Sequence, residues 1–298
     1  MSDIILKVNG LEKKYKSVHA LKGVSFEVER GMIFGLLGPN GSGKTTTLAM
    51  LLGILHPTKG NFEWFGNGND TSNRKRIGAL LETPNFYPYL NAFDNLKVVA
   101  KIKEMENPDQ RIKEVLEQVD LLERGKRSFR SYSLGMKQRL AVASALLSDP
   151  EVLVLDEPTN GLDPRGIIEM RELITDIAKA GKTIIIASHI LDEIEKICTH
   201  VAILKEGTLL ANESLLDFLK QRNTYVVAAE NMQELGNLVD TTLAFTLIEN
   251  NTQSLIIEAT QDMNGAAINK LFVEKGIYLS TLQPYQKSLE TLFLETVS

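Results

Sequence analysis

The sequence predicts an α/β fold built on a mainly parallel sheet, with an inserted helical subdomain and a small α+β domain at the end. Three observations carry this. Fully apolar runs of strand length, at residues 32–37, 77–81, 152–155 and 183–187, alternate with longer segments of helical periodicity, as strands covered on both faces do. The first run leads into Gly38-Pro39-Asn40-Gly41-Ser42-Gly43-Lys44-Thr45, a complete G-x-x-x-x-G-K-[ST] spacing between a strand and a helix. Beyond residue 222 the pattern loosens into shorter strand and helix signals.

In chain order, residues 4–8 and 24–28 read as short strands leading to the 32–37 strand. The glycine-rich loop follows, then a helix carrying Leu48, Leu51 and Leu52 at helical spacing. Glycines at 38, 41 and 43 turn successive N–H groups inward and let phosphate oxygens approach closely. Lys44 places a compact positive charge at β and γ phosphates, Thr45 offers a hydroxyl to Mg2+, and Thr46 stands beside it in the first helical turn. The chain is therefore expected to bind a nucleoside triphosphate as a P-loop NTPase.

The 77–81 strand ends at Glu82. Residues 83–91 are rich in proline, asparagine and aromatics and read as an irregular exposed segment. Phe86, Tyr87 and Tyr89 there suit either a docking surface or the loop's own small core. Asn107 is a candidate cap with Pro108 at the first helical position, before Ile112, Val115, Leu116 and Val119 on one face. Ser133 is the candidate cap of a helix over about 136–147. Strand 152–155 ends in Asp156 and Glu157; a helix with Ile168, Ile174 and Ile177 runs to Gly181; strand 183–187 ends at Ser188 and His189. Short strands near 225–228, 254–258 and 278–282 complete the chain. The expected division is 1–222, with the helical subdomain at about 86–147, and 223–298. The tail carries no acid, histidine or glycine constellation, and reads as a packing or dimerising appendage or a regulatory one.

Composition narrows the function. The 298 residues are 43% hydrophobic and 24% charged, as in globular domains. No window approaches the roughly 18 consecutive apolar residues of a membrane span. The start has neither a basic leader nor a long apolar stretch, so a cytoplasmic location is expected. A net charge of −5 gives no basic footprint, and nucleic acid is not an expected partner. The single Cys198 forms no intrachain disulfide and reads as a small packed hydrophobe; the four histidines show no metal-ligand spacing.

Two carboxylates at the end of a buried strand suit hydrolysis. Asp156 can hold Mg2+ through water, and Glu157 can orient and deprotonate an attacking water, although paired acids after a strand also simply begin loops. His189 ends the 183–187 strand at the same sheet edge, within reach of a γ phosphate. The segment Tyr132-Ser133-Leu134-Gly135-Met136-Lys137-Gln138-Arg139 resembles the signature of the ATP-binding cassette (ABC) family, and Asn160-Gly161-Leu162-Asp163 resembles its D-loop. The resemblance covers about residues 1–220.

It implies that Tyr15 stacks on adenine, although a tyrosine there is as readily packed or exposed for ordinary reasons. It further implies that residues 38–45 hold the phosphates, that Asp156, Glu157 and His189 serve hydrolysis, and that Ser133 and Gly135 face ATP bound by a second subunit. Glu82 stands where the family has a glutamine that meets Mg2+ and the attacking water; otherwise it is a solvated loop acid. Leu134 stands where glycine is usual. These departures, with the appended tail, resemble the bacitracin-resistance and lantibiotic-immunity branch of ABC exporters. The implied protein binds MgATP, dimerises over two ATPs and drives a separate membrane permease from the cytoplasmic face. The competing expectation is a soluble ABC ATPase acting on ribosomes or nucleic acid.

Overall fold

The structure, a computed structural model, describes residues 3–66, 71–81, 85–219, 224–260, 263–285 and 288–297. The chain divides into two compact units, Met1–Leu215 and Leu216–Thr296. The first begins with β1 (Ile4–Tyr15), β2 (Val18–Glu29), β3 (Ile33–Leu37), α1 (Lys44–Leu51), β4 (Lys59–Trp64) and β5 (Ile77–Leu80). An inserted helical segment follows: α2 (Ala92–Ile102), α3 (Asp109–Gln118) and α4 (Leu134–Leu146). The unit closes with β6 (Val152–Asp156), α5 (Pro164–Lys179), β7 (Thr183–Ser188), α6 (Leu191–Ile197), β8 (His200–Lys205) and β9 (Thr208–Ser214). The short α7 (Leu215–Leu219) spans the division between the units.

Among the described residues of this unit the strands form an antiparallel sheet, β2-β1-β4, and a mainly parallel one, β5-β6-β7-β3-β8-β9, in which only β9 runs antiparallel to its neighbour. β1 and β2 are not the short strands the sequence suggests. Each has 12 residues, and register shifts between Val8 and Glu12 break the alternation that would have revealed them. The core lies between the sheets, where Phe26 of β2 stacks on Phe34 of β3 at 5.2 Å, with Leu6, Leu36, Val154 and Ile185 buried around them. Each such side chain contributes about 2 kcal/mol by leaving water. Trp64 is buried here too, and its indole N–H donates to Leu51 O at 2.9 Å.

Local chemistry sets the helix ends. Asp163 caps α5 by accepting from Gly166 N at 3.0 Å, Pro164 takes the first position, and Met170, Leu173, Ile174 and Ile177 form the buried stripe. Ile168, expected on that stripe, is exposed. Ser133 caps α4, which begins two residues before the expected start, and Pro108 rather than Asn107 precedes α3; Asn107 instead has φ +47°. A Cβ on Gly78 of β5 would lie 2.2 Å from Ala145 O. The backbone of α4 therefore rests directly on the sheet, which fixes the helical segment to it. Parallel register sets Asp156 opposite Ala187 and Leu37 opposite Ser188. The carboxyl ends of β6, β7 and β3 thus share one edge, where open α/β sheets bind ligands.

The second unit contains β10 (Thr224–Ala229), α8 (Met232–Thr241), β11 (Phe245–Asn250), β12 (Leu255–Ala259), α9 (Gly265–Glu274), β13 (Leu279–Pro284) and α10 (Leu289–Val297). Its antiparallel sheet has the order β11-β12-β10-β13. The βαββαβ sequence with this order is the ferredoxin-like split βαβ arrangement. The unit has its own core: Phe245 stacks on Phe272 at 5.1 Å among Val227, Leu235, Val239 and Ile257.

Candidate active site

The loop after β3 is held by its own chain from several sides. Ser42 N donates to Pro39 O at 3.1 Å, Thr47 Oγ1 to Gly43 O at 2.9 Å, and Gly207 N, in the turn between β8 and β9, to Ser42 O at 3.0 Å. A Cβ on Gly38 would meet Leu204 O at 2.3 Å and Ser42 Oγ at 2.4 Å. Only glycine permits that approach. Gly38 and Ser42 are buried, whereas Pro39, Asn40, Gly41 and Thr45 are exposed and Gly43 and Thr46 are half-buried. The opening N–H groups of α1 have no acceptor within the helix, so this turn is an anion receptor. Ser42 Oγ is buried beneath the loop without a hydrogen-bond partner among the described residues.

Lys44 is 6% exposed, and its Nζ donates to Gly38 O at 2.7 Å and Pro39 O at 3.4 Å. Burial pulls its pKa below the usual lysine value, opposed by the charges of Glu157 and Asp156. That is the balance expected of a cation kept for an anionic ligand. Glu157 joins the three strand ends. Its Oε1 lies 3.7 Å from Lys44 Nζ, and its Oε2 accepts from His189 Nδ1 at 2.8 Å; an ionised carboxylate only accepts, so Nδ1 carries the proton. The Glu157 amide donates to Ala187 O at 2.9 Å, and the residue sits at φ +48°. Asp156 is buried at the end of β6.

Tyr15, at the end of β1, is 42% exposed, with the Lys13 ammonium 5.1 Å from its ring centre. The hairpin carrying it is tied near the loop: Lys22 N donates to Gly207 O at 2.8 Å. Glu82 lies outside the described residues. Among those residues no cluster of three or more His, Cys, Asp or Glu side chains is arranged to hold a metal by itself. The hydroxyl of Thr45 and the carboxylate of Asp156 nevertheless fit Mg2+, which takes one or two protein oxygens and fills its shell with phosphate oxygens and water.

Ser133, Gly135 and Asp163 form a second place. They line a groove of about 510 Å³ with Arg139, Gly161 and Arg165, and both Ser133 and Asp163 are exposed. Sequence reasoning missed what fixes this groove. Arg139 of α4 donates to Val119 O at 3.0 Å and to Glu169 Oε2 of α5 at 2.8 Å. Arg165 also binds Glu169 at 2.9 Å, and it, more than Arg139, holds that carboxyl below the usual range. The turn at Gly207 and the carboxamide of Asn95 were likewise not singled out. Asn95 is 1% exposed; it accepts from Tyr87 N at 2.8 Å and donates to Tyr87 O at 3.2 Å, Leu90 O at 3.3 Å and Asn91 O at 3.0 Å. No signal in the sequence marks Asn95, because its burial appears only in the fold. Phe86, expected on display, is half-buried with its ring 5.3 Å from that of Phe129, leaving Tyr87 and Tyr89 as the exposed aromatics.

Comparison with known proteins identifies the family. The family profile described as ABC transporter matches residues 21–160. The chain is 43% identical to the bacitracin transport ATP-binding protein BcrA of Bacillus licheniformis, over 98% of this chain and 97% of that one. It is 36% identical to the lantibiotic transport ATP-binding protein SrtF of Streptococcus pyogenes, over 78% of this chain and 96% of that one. Among solved structures, the ATP-binding cassette MJ0796, in a dimeric post-hydrolysis state bound to ADP and Pi, superposes with a TM-score of 0.63 at 27% identity, covering 71% of this chain and 99% of that one. The chain belongs to the ABC transporter family of ATP-binding proteins. It is an ATP-binding subunit of such a transporter, and an ATPase. No helix among the described residues is long and apolar enough to cross a membrane.

Proposed function

We propose that this subunit powers export of antimicrobial peptides or drugs, working as an ATP-dependent homodimer beneath a separate membrane permease on the cytoplasmic face. The observation that carries the hydrolytic part is the convergence on Glu157 of the Lys44 ammonium and the His189 imidazole. Lys44 binds the β and γ phosphates within the cradle of residues 38–46. Glu157 takes the proton of the attacking water, and His189 orients it through Oε2 while facing the γ phosphate. Thr45 and Asp156, with Glu82, hold Mg2+, which supplies positive charge to the phosphate oxygens when bound. Tyr15 stacks on adenine. Ser133 and Gly135, on an exposed helix start, meet the ATP of the second copy, with Asp163 beside them.

The permease docks on the loop organised by Asn95. A groove of about 370 Å³ lies there between Phe86, Tyr87 and the apolar side of α2, including Val99 and the 76%-exposed Ile102. The same loop is bonded to the approach to Ser133: Phe129 N donates to Leu90 O at 2.7 Å and Arg130 N to Pro88 O at 2.8 Å. Peptide antibiotics as the transported class are supported by the likeness, over 98% of this chain including the second unit, to a bacitracin transport protein. The test is co-expression with candidate permeases, purification of the complex in detergent, and reconstitution. Stimulation of ATPase activity by bacitracin-like or lantibiotic peptides is the expected result; a complex stimulated only by unrelated solutes removes this substrate class.

A further inference from the structure

One buried acid joins the strand ends that carry Glu157 and His189. Glu193 lies on α6, is 5% exposed, and its Oε2 accepts a hydrogen bond from Thr159 Oγ1. Thr159 is 4% exposed, in the loop that runs from Glu157 to Asp163. The other carboxyl oxygen, Oε1, is buried without a hydrogen-bond partner among the described residues. Such a carboxyl is an unfavourable choice for filling space. Burial pushes its pKa above the usual range, against the pull of the Thr159 hydroxyl and the Arg171 guanidinium, while Glu157 and Asp192 push the same way as burial. An apolar side chain of similar volume would sit there more easily, so the bond it makes to Thr159 is the feature that explains it.

Thr159 stands at the middle of its loop. Its carbonyl accepts from Leu162 N at 3.1 Å, just before Asp163, and Asn160 N donates to Glu157 O at 3.1 Å. Glu157 at φ +48° has a left-handed backbone that a non-glycine residue keeps only where its surroundings hold it. Two holders are backbone bonds, to Ala187 and from Asn160. The third is the side-chain bond from α6. We infer that Glu193 is a positioning residue for ATP hydrolysis: through Thr159 it clasps the loop bearing Glu157 to the helix that follows His189, keeping these two side chains in register. Glu193 acts through Glu157 and not on ATP, and the inference rests on the assignment of Glu157 as the base.

The experiment measures steady-state ATPase kinetics and fluorescent-nucleotide affinity of the full chain for Glu193→Gln, Glu193→Ala, Thr159→Ser, Thr159→Val and the Thr159→Val/Glu193→Ala pair. Glu193→Ala and Thr159→Val should lower kcat by about 10- to 100-fold, the scale of a misplaced reacting group. KM and nucleotide affinity should stay within about twofold, because ground-state binding is untouched. Glu193→Gln and Thr159→Ser remake the bond and should keep kcat within about threefold of the parent. The double variant should be no slower than the worse single one, since both break the same bond.

Unchanged kcat in Thr159→Val, additive losses in the pair, or Glu193→Gln as slow as Glu193→Ala each overturn the clasp. Should Glu193→Ala not fold, Thr159→Val against Thr159→Ser decides alone. Glu157→Gln is measured alongside: parental turnover there removes the base assignment, whereas slow Glu157→Gln with fast Thr159→Val removes only the clasp.

Discussion

At the ends of β3, β6 and β7 the functional side chains already meet one another: the half-buried Glu157 stands between the buried Lys44 and an exposed His189 bonded to it. At the starts of α4 and α5 the arrangement differs: Ser133 and Asp163 are exposed around an open groove, fastened by Arg139 and Glu169 in its own lining. On the proposed function, the difference is that between a site that binds nucleotide within one chain and a surface that meets the ATP of a second copy. A prewired edge can grip nucleotide alone, since its charges are balanced and its loop is anchored before any ligand arrives. The exposed helix starts are held rigid by their own caps, Ser133 accepting from Met136 N and Asp163 from Gly166 N, while their outer surface stays open. It is suited to an anion presented from outside.

The sharpest way to break this comparison is at Glu157. An amide cannot accept the proton from water, so Glu157→Gln should slow ATP hydrolysis by about 10²- to 10⁴-fold while leaving nucleotide affinity within about threefold; equal turnover in the two proteins removes the contrast at its root. Next is Ser133→Arg. In the Glu157→Gln background, light scattering in MgATP should show a dimer that Ser133→Arg abolishes, while the monomer keeps its ATP affinity within about twofold. Loss of monomer binding would place Ser133 in the site of its own chain.

A smaller effect is expected at the docking loop. Tyr89→Glu puts a charge on a 72%-exposed ring, and transport by the reconstituted complex should fall about tenfold, as for loss of one interface anchor, with basal ATPase unchanged. Smallest is a control outside both regions. Glu151 accepts from Arg76 and Arg30, and Arg76 above all holds its pKa down to about 2. A depressed carboxylate stabilises the fold above its unfolded pKa, and that contribution disappears as pH falls from the ordinary value of 4.5 towards about 2. Glu151→Gln should therefore lower the thermal midpoint at pH 7 by only about 1–3 °C, the pair being partly exposed, and flatten the acid side of the stability curve. Turnover should not change; if it does, the two regions are not insulated from general stability.

Uniform burial made β3, β6 and β7 plain in the sequence, although β8, buried at its four central positions, went unread. β3, β6 and β7 are continuous apolar runs because helices and sheets cover both faces, and the phosphate loop carries its own spacing. β4 was missed because only Phe62 and Trp64 of its six residues are fully buried. β9 and β11 were missed because edge strands mix polar and apolar residues. The same limit applies to the site. Lys44 and Glu157 announce themselves by motif, whereas Thr159 and Glu193 acquire meaning only when a loop and a helix, 34 residues apart at these two positions, are brought together. Arg139 stood inside the quoted signature segment, yet its link to Glu169 depends on how α4 crosses α5.

The bond between Gly207 and Ser42 also sets an order of events at the ribosome. The phosphate loop is synthesised early, but the turn that props it is made about 165 residues later. At about 5–20 residues per second that interval is on the order of 10–30 s. β3, moreover, finds its neighbours only when β7 and β8 emerge, so α1 waits beside an unfinished sheet with its apolar face uncovered. The cradle that nucleotide recognises is thus propped from this side only when the turn before β9, the closing strand of the first unit, has been made.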